Sequence, residues 1–168
     1  RIKDGEIWSP LTEAPFSVQL QLRINEIHYQ PKDAIHSEFI EIENSGPGPA
    51  SLDGVRFSDG IDFSFPTGTV LGAGERVLLV SNQDAFAQLY PDVQVAGVFS
   101  GKLRNEGERL ALSSLTGETL FEVTYDNTTP WPQSAAGGGR TLVLSDEADP
   151  SDPASWRPSS HDGGSPGT

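Results

Sequence analysis

Two glutamates two positions apart, Glu41 and Glu43 in the run EFIEIEN (Glu38–Asn44), are the first residues here that invite chemistry. On a β-strand they share a face with side chains roughly 7 Å apart. Paired carboxylates near that distance serve as acid and base in glycoside hydrolysis. The alternation argues otherwise: Ile40 and Ile42 occupy the opposite face, so the glutamates read as the solvated side of an amphipathic strand. Glu26 differs. It shares parity with Leu22 and Ile24 and points inward unless a bulge intervenes. A carboxylate facing a core needs donors or an upward pKa shift, and Arg23, Arg56 or a backbone turn are the expected partners.

The aspartates give a metal signal. Asp146, Glu147, Asp149 and Asp152 lie in one loop and Asp59 and Asp62 flank a turn, so oxygen-rich calcium sites are chemically reasonable. Asp146, Asp149 and Asp152 are the candidates, although their spacing is not that of an EF-hand. Asp152-Pro153 has a competing explanation as an N-cap followed by proline at the first helical position, seating Trp156 on the sandwich. Trp131, between Pro130 and Pro132, is the candidate sugar contact if its ring is open to solvent. Otherwise it is a lid over one end of the core. His28, His36 and His161 show no ligand spacing and read as surface or strand-end residues. No Gly-X-Ser-X-Gly elbow occurs. The run Gly137–Thr141 lacks the Lys and glycine spacing of a phosphate loop and reads as a flexible entry to a strand. No catalytic or cofactor-binding residue is assigned, and no enzyme activity is expected.

Composition narrows the partners. The 168 residues include 11 basic and 24 acidic side chains, a formal net charge of −13, whereas phosphate binding needs a clustered cationic surface. No nucleic-acid partner is expected. Lys102, Arg104 and Arg109, the nearest approach to a basic cluster, are interleaved with Glu106 and Glu108 and read as a hairpin tip of mixed charge. Cysteine is absent, which removes disulfides and thiolate metal sites. The densest apolar run, Val77–Val80, is only strand-sized, and no membrane insertion is expected.

These residues must be positioned by strands. Runs at 22–29, 39–43, 55–58, 62–65, 76–81, 109–113, 119–125 and 141–144 alternate or are densely apolar, and turn residues separate them. Asp53-Gly54, Asp59-Gly60, Gly72-Ala73-Gly74, Asn105-Glu106-Gly107 and Thr116-Gly117 are the reversals. Short strands at even spacing predict an all-β antiparallel sandwich. One short helix is predicted over Gln83–Tyr90, capped by Asn82 and stopped by Pro91. Residues 1–18 read either as the tail of a preceding immunoglobulin-like or fibronectin-like module, or as an extra hairpin around Asp4-Gly5. Residues 19–158 form the body, and the Gly-, Ser- and Pro-rich 159–168 read as a linker or frayed terminus. The chain opens on Arg1 in what reads as mid-strand, without a leader, and is expected to be a piece of a longer polypeptide.

From Leu22 to Pro158 the ordered segments INEIHYQP, EFIEIEN, LDGVRFSDG, FPTGTVLGAGERVLLV, GKLRNEGERLALSSLTGETLFEVTYD, TPWP and DPSDPASWR resemble the lamin tail domain in its bacterial form. That resemblance implies an immunoglobulin-like β-sandwich without catalytic residues. It also implies a non-catalytic structural or interaction module of a larger exported bacterial protein, extracellular or at the cell surface, with a protein or cell-surface partner. The alternative is a carbohydrate-binding module, assisted by calcium. The acidity and the lack of a preceding heptad rod depart from the nuclear lamins, in which the domain is an interaction surface on a filament protein.

Overall fold

The alternation in EFIEIEN becomes the centre of a sheet. A computed structural model describes residues 20–32, 37–146 and 148–168, and the backbone of two short strands before them. Those two, β1 (Lys3–Asp4) and β2 (Ile7–Trp8), pair antiparallel. The rest of residues 1–18, with the side chain of Trp8, and His36 and Glu147, lie outside the described residues.

The body starts with β3 (Leu22–His28), β4 (Phe39–Asn44), β5 (Ala50–Ser51), β6 (Arg56–Asp59), β7 (Val70–Leu71) and β8 (Arg76–Val80). After a helix, α1 (Gln83–Leu89), come β9 (Gly97–Val98), β10 (Gly107–Ser113), β11 (Thr119–Asp126), β12 (Leu142–Leu144) and β13 (Trp156–Pro158). One sheet has the order β13-β12-β3-β4-β8-β9, and a second has β11-β10-β6. β5 and β7 pair separately. Among the described residues all ladders are antiparallel except β8 with β9, which need a crossover because parallel neighbours cannot be joined by a tight turn. That crossover is α1, where Asn82 Oδ1 accepts from the Ala85 amide at 3.0 Å, as its sequence predicts. The run 62–65 forms isolated bridges, Arg56 to Ser64 and Asp62 to Ser100, and not a strand.

Between the two sheets the inward residues meet. Ile24, Ile27, Ile40, Ile42, Leu79 and Leu142 face Leu110, Leu112, Phe121, Val123 and Tyr125 in one buried cluster. Burying each large apolar side chain contributes about 1.5–3 kcal/mol. The register of β3 against β4 slips between Ile24 and Glu26, with Ile24 opposite Ile42 but Glu26 opposite Glu41. One extra residue in a strand reverses the parity beyond it. Ile27 therefore takes the core position, while Glu26 and His28 turn to the outer face.

That outer face is not bare. Phe39, Leu78 and Val80 project from it into a second cluster with Phe86 of α1. Beside α1, residues 159–168 cross the same face. They were expected as a linker, and the structure lays them down as a strap: the Gly163 amide donates to the Gly139 carbonyl at 2.6 Å, and Ser159 N to the Thr141 carbonyl at 3.1 Å. Glycine is required at 164, where φ is +79° and an added Cβ would lie 2.0 Å from Glu26 Oε1.

Candidate functional site

The strand registers set out a row of side chains across the outer face, Arg157, Val143, Glu26, Glu41 and Leu78. Next to it runs a second row, Arg23, Glu43 and Arg76. The strap seals the middle of the first row. Glu26 is 2% exposed and Glu41 0%. Glu26 Oε1 accepts from Thr141 Oγ1 at 2.5 Å and from the Ser165 amide at 3.0 Å, and its Oε2 accepts from Ser165 Oγ at 3.1 Å. Glu41 accepts from Asn25 Nδ2 at 2.7 Å and from the Gly167 amide at 2.5 Å, with Arg76 Nη1 at 3.4 Å. Arg76 also donates to the Thr168 carbonyl.

This corrects two expectations. Glu41 is not on a wet face, because the strap covers it, although Glu43 stays half-buried in an ion pair with Arg76 at 3.2 Å. Glu26 finds its donors in Thr141 and in Ser165, whose backbone amide is of the kind expected, and not in Arg23 or Arg56, since the bulge turns it away from the core. Burial pushes the Glu41 carboxyl upward, against the pull of the Gly167 and Asn25 hydrogen bonds and of the Arg76 charge. Two carboxylates sealed in this way cannot reach a substrate, but they can hold a backbone. Glu41→Gln must place an amide N–H against either Arg76 Nη1 or the Gly167 amide, neither of which accepts. Hydrogen exchange at the Gly167 amide is expected to speed up about tenfold, the loss of one ordinary hydrogen bond. In Glu26→Gln the new amide can donate to Ser165 Oγ, so Ser165 exchange should change little. Equal effects in the two variants would contradict this geometry.

The aspartate loop is tied up locally. Asp146 pairs with Arg23 at 3.3 Å. Asp149 Oδ1 accepts from the Ser151 amide at 2.9 Å and from its hydroxyl at 2.8 Å, which holds the Asp149 carboxyl below its ordinary pKa. Asp152 Oδ1 caps the Ala154 amide at 2.9 Å ahead of a 3₁₀ turn, Pro153–Ser155. Among the described residues no three acidic or histidine side chains are grouped to hold a metal ion. Asp59 bonds instead to Arg109 at 2.9 Å, which lowers its pKa, and Asp62 is engaged through its backbone with Ser100.

Trp131 is 6% exposed and packs on Trp156 with ring centroids 5.9 Å apart. It sits as a lid and offers no open platform for a sugar. His161 is an exposed residue, with Nδ1 2.8 Å from Ser160 Oγ. His28 closes β3, the strand-end place expected of it, but it is not at the surface. It is 3% exposed, its ring lies edge-on to Phe39 at 5.3 Å, and burial lowers its pKa to about 4. The Gly137–Thr141 run, expected as a flexible entry, supplies the Gly139 and Thr141 carbonyls that receive the strap. Between the strap, α1 and the chain after β3 a cleft of ≈390 Å³ opens, lined by His28, Lys32, Tyr90 and Asp162 among others. Sequence reasoning missed this cleft because its walls come from three distant segments with no shared motif.

An antiparallel sandwich with inward-facing apolar strands and structurally engaged carboxylates is immunoglobulin-like in fold. Residues 16–127 match the family model of the Lamin Tail Domain, and the chain belongs to that family. The family is a non-enzymatic, immunoglobulin-like module. A comparison with curated proteins finds no match.

Proposed function

We propose that the chain is a structural or interaction module of a larger exported bacterial protein, placed outside the cell or at its surface, where it spaces neighbouring domains or docks a protein partner. The observation that carries this reading is the commitment of Glu26 and Glu41 to the strap. The residues best suited to acid-base chemistry are spent on holding the module together. A second observation agrees: β11 is eight residues long and pairs, among the described residues, with β10 alone. Such an edge can accept a strand from another chain.

The reading is tested by incubation with a panel of glycosides and phosphodiesters. No turnover is expected, and turnover that Glu41→Gln or Glu26→Gln abolishes would overturn the non-catalytic assignment. Protease treatment of intact cells carrying the parent protein should remove the module. Full protection with the cells intact, and loss after lysis, would place it inside and refute the exported location.

A further inference from the structure

Edge strands are kept from pairing with other chains by brevity, proline, lysine or bulges. Among the described residues, β9 has only two residues, β13 ends on Arg157 and Pro158, and β6 is bridged through Arg56 to Ser64. β11 is guarded in none of these ways beyond its start. Its register slips where Thr119 and Phe121 meet Ser113 and Leu112, and from Phe121 to Asp126 it runs regularly against β10. That stretch holds no proline and no lysine. No described residue pairs with its outer side.

The side chains of this edge specify what it would accept. Phe121, Val123 and Tyr125 point into the sandwich and are buried, whereas Glu122 and Thr124 are exposed on the outer face with Asp126 half-buried beside them. Across that face Asp59, Ala111 and Glu122 stand in one row. Arg109 serves both acids of the row, at 2.9 Å from Asp59 and 2.6 Å from Glu122. Asp126 accepts from the Thr128 amide at 2.7 Å and its hydroxyl at 2.6 Å, which lowers its pKa and keeps it charged, and no described cation pairs with it. Arg104 is taken by Glu108 at 3.8 Å. The edge is therefore short of positive charge.

A strand added to β11 would set its own outward side chains beside Glu122 and Asp126, where opposite charges on neighbouring strands attract and like charges repel. Its inward side chains would adjoin residues that are already covered, so they need only be small or β-branched. A second copy fits badly. Any antiparallel register that pairs β11 with itself over Glu122–Asp126 sets acid opposite or diagonal to acid, in a chain of net charge −13.

We propose that the β11 edge takes up an extended basic segment of a partner protein as an added strand, with Lys or Arg at alternate positions beside Glu122 and Asp126. This rests on the reading of the chain as an interaction module and names the chemistry of its partner.

The test is an NMR titration of the whole chain with a short synthetic peptide in which Lys alternates with Val. The same peptide with Glu for Lys, and the Lys peptide with methylated backbone amides, are the controls. Saturable shifts centred on Phe121–Asp126 and slower amide exchange there are expected with the Lys peptide, and binding should weaken as salt is added. Glu122→Lys changes an exposed side chain and leaves Arg109 its bond to Asp59. It should weaken the Lys peptide about fivefold, the effect of turning one attractive cross-strand pair repulsive, and strengthen the Glu peptide. The proposal is overturned by the absence of saturable shifts at β11, by equal or tighter binding of the Glu peptide to the wild type, or by undiminished binding of the methylated peptide. Concentration-dependent shifts at β11 in the chain alone would also overturn it, by giving the edge to a second copy. Each of these leaves the turnover and protease results untouched, so the strand-addition proposal and the module reading can fail separately.

Discussion

Replacing Trp156 by alanine is expected to destabilise the chain by about 3–5 kcal/mol, the range for emptying a buried large aromatic site. Trp156 is 4% exposed, stands opposite Leu144 at the start of β13, and stacks on Trp131. Its indole N–H donates to the Pro150 carbonyl at 3.0 Å. Alanine therefore removes core volume, an aromatic partner and a hydrogen bond at once. For a domain of this size the melting temperature should fall by about 10 °C or more. Trp156→Phe keeps the apolar body and loses the N–H, so it should cost about 1 kcal/mol plus a small packing loss. Trp131→Ala combined with Trp156→Ala should cost less than the two single changes added, because each single change already breaks the stack. Urea unfolding of the wild type and the four variants measures all of these differences. A loss below about 1 kcal/mol for Trp156→Ala would mean that the tryptophan pair is not packed as described.

The seating of Trp156 was legible before any coordinates because its cause is local. Asp152 and Pro153 form a cap and a first helical position within a few residues, and the same holds for Asn82 ahead of α1. The Asp-Gly reversals were legible for a similar reason, since Gly54 and Gly60 have φ of +74° and +92°, which few other residues adopt. The strand alternation gave the core as far as Ile24. Beyond that, the bulge depends on how β3 pairs with β4, and pairing is not written in either strand alone. Glu41 was misread for a further reason: its cover, Gly167, lies 126 residues away in sequence. A Gly- and Ser-rich stretch carries no apolar pattern to announce that it docks, since backbone amides hold it. The cleft at His28 inherits both difficulties, being turned outward by the bulge and walled by the strap.

That same outward turn gives the chain a large acid sensitivity. Burial lowers the His28 pKa from 6.5 to about 4, which corresponds to roughly 3 kcal/mol of folding stability. The direction follows from which state takes the proton first. Above pH 6.5 the imidazole is neutral in both the folded and the unfolded chain, and the contribution is fully present. As the pH falls through 6.5 the unfolded chain is protonated while the folded one is not, so stability drains away until the pH reaches about 4. Among the described residues burial alone shifts the ring: its neighbour across the ladder is Phe39, and Lys32 and Asp162 stand at the rim in their own ion pair. Glu41 works in the opposite sense. Its raised pKa lets the folded chain keep a proton that the unfolded chain gives up, so its share favours folding at low pH and is lost as the pH rises. The wild-type curve mixes the two, but the difference between wild type and His28→Phe cancels Glu41 and isolates the imidazole. Urea unfolding across this interval should show the wild type losing roughly 3 kcal/mol relative to His28→Phe between pH 6.5 and about 4. Parallel stability curves would mean that the folded chain protonates His28 as readily as the unfolded one, and that the ring is not sealed behind Tyr90 and the strap.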